Sequence, residues 1–273
     1  MSDITKRIFT YSPVDTKLIA NRWHHHSLTT RGYKMEGKVF LRSKLRPKGK
    51  TRKKFIIFGR ARSGTTLLGR ILNAPSMVRC DGEMLQCGVL RPTSFLNDLA
   101  RKSPEEVYGA KLLSYQMVQV QRIKDPVDFF QSLEDRGFLF IHLTRKTFAQ
   151  TLSLTIAQKR SVYHRKEKEK EQRKIRLDPE DFRKRIEWNE ALLEYEAHCM
   201  SAFNPIRVSY EEDLATEGKR VKSIEKIFSL LDVPNQNVST PLQKILPSHP
   251  SDILENYDEV AKHLTKSGLG HLL

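Results

Sequence analysis

The sequence predicts an α/β protein, a three-layer α/β/α arrangement around a central parallel sheet with a basic N-terminal extension. Two continuous apolar runs point to it, Phe55–Phe58 and Phe138–Thr144. Strands with near-continuous apolar runs suit a parallel sheet covered on both faces. Each run is followed by a helical pattern, and such alternation implies parallel pairing. In open parallel sheets, ligands sit at the carboxyl ends of the strands.

The elements follow in order. Residues 1–54 form the basic extension and end in the linker-like Pro47-Lys48-Gly49-Lys50; residues 55–273 form one domain. Strand 55–59 feeds a helix over about 64–73, which closes at Asn73-Ala74-Pro75. A short strand at 77–80 leads to an Asp81-Gly82 turn and Glu83. Residues 88–103 are rich in turn formers and have no assigned element. Ser103-Pro104-Glu105-Glu106 predicts a helix start, with serine as cap, proline at the first position and acids in the first turn. Gly109–Leu113 fits either strand or helix. After strand 138–144, helices are expected over 147–160 and 179–201, the second opening at Asp178-Pro179-Glu180. A strand at 206–209 and a helix at 219–231 complete the core.

The segment from Phe55 to Leu68 is the most informative. An apolar strand ends at Gly59, a short loop carries Arg60, Ala61, Arg62, Ser63, Gly64, Thr65 and Thr66, and a helix begins. A helix N-terminus presents free N–H groups and the positive end of its dipole, so an anion is the natural guest. The arrangement is P-loop-like: Gly59 and Gly64 have the spacing of G-x-x-x-x-G-K-[ST]. Thr65, however, stands where the lysine of that motif belongs, and the loop's cations are Arg60 and Arg62. Without the lysine the loop suits a single 5′-phosphate bearing a sulfonate better than a triphosphate with its metal. A plain strand–turn–helix with solvated arginines is the alternative. Arg145 ends the second long strand and Ser153 lies eight residues on, two turns into the next helix, where the two can bind one phosphate between them.

With these residues in place, the chain resembles the sulfotransferases that use 3′-phosphoadenosine 5′-phosphosulfate (PAPS). Ile206–Ser209 followed by Tyr210-Glu211-Glu212-Asp213-Leu214 resembles the family's late strand and acidic turn, with one extra acid here, and Asp232-Val233-Pro234 is also typical. Cys80–Leu85 and Gly109–Leu112 are similar to motifs of the bacterial carbohydrate branch, of nodulation-factor and sulfolipid type. The likeness covers about Lys54 to Ser267. It departs from the eukaryotic cytosolic enzymes at Arg62, where they carry lysine. Of their C-terminal basic-glycine motif only Lys266-Ser267-Gly268 is left.

The resemblance implies that the Arg60–Thr66 loop holds the 5′-phosphosulfate of PAPS and that Arg145 and Ser153 grip its 3′-phosphate. Arg62 then stabilises charge on the leaving oxygens. Glu83 is the expected general base toward a hydroxyl acceptor, in a carbohydrate or glycolipid. Among the rivals, His249 in Pro247-Ser248-His249-Pro250 comes next, ahead of His164, while His142 inside an apolar strand reads as a core histidine. Lys111 is expected at the sulfonate or acceptor, and no metal is expected. Two other readings compete: a P-loop-type small-molecule kinase, and a non-enzymatic protein binding nucleic acid or another anionic polymer.

Charge weighs on the last of these. The net charge is +16, but residues 1–54 carry +12 and residues 160–176 carry +5, so the rest sums to −1. The few aromatic residues in these runs do not alternate with the basic ones in a pattern that supports base stacking, so specific nucleic-acid binding is not expected. The extension reads as a solvated tail, a patch for an anionic surface, or part of the acceptor site. Leu18, Ile19 and Trp23 favour some packing, and the consecutive His24-His25-His26 point in different directions, which disfavours a metal. The Arg160–Arg176 run has the alternating signs of a solvated helix face, or else borders the donor or an acidic acceptor at one end, since it follows the helix carrying Ser153. Three cysteines without a CxxC pair read as reduced thiols. No run of 18 apolar residues occurs, so a cytoplasmic location is expected.

Overall fold

The computed structural model describes residues 3–10, 30–45, 49–121, 123–160, 174–236 and 249–273. Five parallel strands form one sheet in the order β2-β3-β1-β4-β5. They are β1 (Lys53–Gly59), β2 (Val78–Glu83), β3 (Val107–Leu113), β4 (Phe138–Thr144) and β5 (Ile206–Ser209). Nine α-helices are seen among the described residues. Two lie in the extension, α1 (Asp3–Thr10) and α2 (Thr30–Leu45). The others are α3 (Thr65–Leu72), α4 (Pro92–Arg101), α5 (Pro126–Glu134), α6 (Thr147–Arg160), α7 (Pro179–Cys199), α8 (Glu217–Leu230) and α9 (Tyr257–Lys266).

Alternation along β1 builds the layers. Ile56 and Phe58 face a core closed by α4, α5 and α7, with an aromatic cluster of Phe58, Phe129, Phe130, Phe140 and Phe203. Phe55 and Ile57 face the opposite layer, where Leu68, Ile71 and Leu72 of α3 and Ile224, Ile227 and Phe228 of α8 pack. A third cluster joins α6, α7 and α9 through Phe148, Leu152, Phe182, Ile186, Val260 and Leu264. The three-layer α/β/α arrangement is therefore as the apolar runs predict.

Several local expectations change. No helix starts at Ser103. The backbone N–H groups of Arg52 and Lys53 bond the Glu106 carbonyl at 2.7 and 3.3 Å, and the chain enters β3 at Val107. A neighbouring strand supplied backbone partners that outcompeted the cap. The helix lies earlier, at α4, inside the unassigned stretch, with Pro92 in its first turn and Phe95, Leu96 and Ala100 buried. Gly109–Leu113 resolves as strand. Asp81-Gly82 is not a turn; β2 runs through to Glu83, and its register against β3 shifts between Asp81 and Glu83. Helices α5 and α9 have no counterpart in the sequence reading, although Asp125 caps α5 by accepting from Asp128 N at 2.9 Å and Pro126 opens it.

The described parts of the extension lie against the domain. Ile8 is fully buried in the core of α4, α5 and α7, and Arg7 pairs with Glu194 of α7 at 2.7 Å. Glu36 accepts from the backbone N–H groups of Leu90 and Arg91 at 2.9 and 3.0 Å. Leu18, Ile19, Trp23 and His24–His26 fall outside the described residues, as do His164 and most of the 160–176 run. Cys80, Cys87 and Cys199 are free thiols. No described helix is long and apolar enough to cross a membrane.

Candidate active site

Chain order locates the site. From β1 the chain runs to β2 on one side of the sheet, and from the adjacent β4 it runs to β5 on the other. The carboxyl ends of β1 and β4 therefore flank a topological switch point, where such sheets bind ligands. The Arg60–Gly64 loop leaves one of these ends and Arg145 the other.

The loop is held in an unusual backbone shape. Gly64 has φ 109° and Arg62 φ 67°. A non-glycine residue in this region costs about 1–3 kcal/mol, and such strain clusters at ligand-binding sites. At Gly64 a Cβ would also lie 2.8 Å from the Tyr210 ring, so conformation and space both require glycine. Helix α3 then begins with no side-chain cap and no acid in its first turn. An uncapped helix N-terminus of this kind suits an anion.

Arg145 and Ser153 both meet this loop. Arg145 Nη1 donates to the Arg62 carbonyl at 2.9 Å, and Arg62 Nε donates to Ser153 Oγ at 3.3 Å. Arg145 is buried beneath the Tyr210 ring, 4.3 Å from its centroid, with Glu211 Oε1 3.8 Å from Nε. Burial lowers its pKa, and the charges of Tyr210 and Glu211 oppose that shift. The Tyr210–Leu214 turn thus buttresses both the loop and Arg145. Asp213 stabilises the turn by accepting from Ser209 N at 2.7 Å and from Ser223 Oγ at 2.8 Å.

Arg60 departs from the sequence reading. Its side chain is fully buried, donating from Nη1 to Thr147 Oγ1 at 3.0 Å and to the Asn189 carbonyl at 3.2 Å. Nη2 donates to the Arg145 carbonyl at 2.7 Å, and Nε lies 3.9 Å from Glu196 Oε2. The guanidinium is turned into the core, because its acceptors come from the end of β4 and from α6 and α7. Burial lowers its pKa, with Glu196, Glu190 and Glu211 pulling the other way. Ser63 is also buried, and its hydroxyl donates to the Arg60 carbonyl at 2.8 Å, closing the loop on itself. Ala61 is tied by Gln150 Nε2 to its carbonyl at 2.5 Å.

A second group forms at the ends of β2 and β3. The register shift places Glu83 opposite Lys111. Lys111 Nζ lies 3.6 Å from Glu83 Oε1 and donates to Thr66 Oγ1 at 3.1 Å. A lysine thus reaches the loop from β3, although Thr65 replaces the lysine of the P-loop motif. Gln116 Nε2 donates to Glu83 Oε2 at 2.9 Å, while Gln116 Oε1 accepts from Leu113 N at 3.2 Å. Gln116 sits in a one-turn π-helix, Gln116–Val120, a feature frequent at functional sites. Sequence reading missed it, since no short motif marks a π-turn.

His249 joins neither group. Its Nδ1 contacts Ser251 Oγ at 2.7 Å, its ring packs edge-on against Tyr257, and it caps the 3₁₀ turn Pro250–Asp252. No contact among the described residues links it to Glu83, Lys111 or the loop. His142 lies in the core, 3.4 Å from Glu196 Oε2 and stacked on Phe58.

No family model matches the chain, and no curated protein matches it. Among solved structures, mouse sulfotransferase SULT7A1 complexed with PAP is similar at 14% identity with a TM-score of 0.44. The match covers 75% of this chain and 65% of that one.

Proposed function

We propose that the chain is a sulfotransferase that moves a sulfuryl group from PAPS to a hydroxyl acceptor. One observation carries the reading: Arg145 and Ser153 converge on Arg62 in the loop between β1 and α3, at the switch point of the sheet. Two anion-binding elements side by side suit a donor with phosphates at both the 3′ and 5′ positions.

In this reading the N–H groups opening α3, with the Thr65 and Thr66 hydroxyls, hold the 5′-phosphosulfate. Arg145 and Ser153 receive the 3′-phosphate. Arg62 and Lys111 offset negative charge as the S–O bond to the phosphate breaks; preorganised donors of this kind are typically worth about 3–4 kcal/mol each. Glu83 takes the proton from the acceptor hydroxyl, with its carboxylate oriented by Gln116. An acceptor of the carbohydrate or glycolipid class and a cytoplasmic location belong to the same proposal. The first draws on the resemblance at Cys80–Leu85 and Gly109–Leu112.

Calorimetric titration with 3′-phosphoadenosine 5′-phosphate, beside ATP–Mg²⁺ and a random oligonucleotide, tests the reading. The bisphosphate should bind, and Arg145→Ala should abolish that binding without unfolding the chain. Binding of ATP–Mg²⁺ alone would replace the proposal with a kinase. Binding of the oligonucleotide alone would replace it with a polymer-binding protein.

A further inference from the structure

We propose that Arg60 is a positioning residue that sets the separation between the two anion-binding halves of the donor site. The inference rests on the donor reading above.

A fully buried guanidinium is an expensive way to stabilise a core, since apolar side chains of similar volume commonly do as well. What distinguishes Arg60 is where its donors go. Nη2 binds the main-chain carbonyl of Arg145, at 2.7 Å. Arg145 in turn donates from its own side chain to the main-chain carbonyl of Arg62, at 2.9 Å. The loop after β1 and the end of β4 are thereby cross-linked twice, once in each direction. Nη1 adds Thr147 at the start of α6 and the Asn189 carbonyl in α7.

Helix α6 continues the attachment along the loop. Thr147 meets Arg60, Gln150 meets the Ala61 carbonyl, and Ser153 meets Arg62. Positions three apart lie on one helix face, so successive turns of α6 grip successive loop residues. Glu196 completes the anchor. It is itself fully buried, lies 3.9 Å from Arg60 Nε, and accepts from Ser114 Oγ at 2.6 Å. Lysine cannot substitute, because a single ammonium on a flexible stem lacks the planar fork that fixes two acceptor directions.

The expected signature is a change in spacing between two subsites, which a one-phosphate ligand does not sense. Wild type, Arg60→Lys and the charge-compensated Arg60→Met/Glu196→Gln pair are titrated with adenosine 3′,5′-bisphosphate and with adenosine 5′-phosphate. Thermal melts and near-UV circular dichroism monitor folding. In the folded variants the preference for bisphosphate over monophosphate should fall by about ten- to a hundredfold, the scale on which small misplacements act. An unchanged preference overturns the inference, and so does an equal loss for both ligands, which marks a merely structural arginine. Should the Arg60 variants not fold, Thr147→Val retains both charges and removes one acceptor of the fork; its preference must shift in the same direction, and an unchanged value overturns the inference. Failure of the donor reading shows separately, as a wild-type chain with no preference for the bisphosphate.

Discussion

Glu83 stands at the end of β2 with one carboxylate oxygen bonded by Gln116 and the other near Lys111. In the proposed transfer this carboxylate takes the proton of the incoming hydroxyl. Glu83→Gln should therefore lower turnover by about 10²–10⁴-fold, the usual worth of general-base assistance. Bisphosphate affinity, measured by calorimetry, should stay within about twofold of wild type, because the change leaves the donor halves untouched. Cys80 lies on the same strand. Burial pushes its thiol up to about 12, with Lys111 pulling down and Asp81 pushing up. The unfolded thiol ionises near its ordinary value of about 8.5. The folded state therefore holds the proton longer, and stability falls as pH rises from that value toward 12. Alkylation at pH 8 mapped by mass spectrometry should leave Cys80 unlabelled in the native chain and label it after unfolding.

At the scale of elements, β3 explains why Gly109 sits in its motif. A Cβ there would meet the Phe55 ring at 2.1 Å, across the pairing of Gly109 with Phe55. Gly109→Ala should cost about 1–3 kcal/mol through overpacking, read from urea denaturation. The strand–loop–helix at 55–72 was legible because its signals are local: an apolar run, two glycines and hydroxyls at a helix start. The Arg145/Ser153 spacing was legible for the same reason. Ser103-Pro104-Glu105-Glu106 misled because a cap signature says nothing about a neighbouring strand edge, and Arg52 and Lys53 supplied one. The register shift at Gly82, which turns Glu83 toward Lys111, needs β3 as a partner and leaves no trace in the sequence of β2 itself.

Across the whole molecule, the basic extension is not independent of the domain. Ile8 contributes a fully buried side chain to the core beneath α7, and Glu36 bonds the backbone just before α4. Ile8→Ala should destabilise the entire chain by about 2–5 kcal/mol, as for other buried isoleucines. Global unfolding in urea checks this; an extension without a share in the core would give no change. The charge of the first 54 residues drew attention to solvent and anionic partners, whereas the apolar side of α1 was too short a pattern to stand out. Sequence alone was enough for the layered sheet, the glycine-bounded loop after β1, and the placing of Arg145 at a strand end with Ser153 on the helix that follows, because periodicity, glycines and fixed spacing act over a few residues. Folding in three dimensions set the rest: Arg60 turns into the core, Gln116 and Lys111 meet Glu83, and His249 caps the Pro250–Asp252 turn. A side chain's direction is set by acceptors that folding brings near it, in the case of Arg60 from 85 to 129 residues away along the chain.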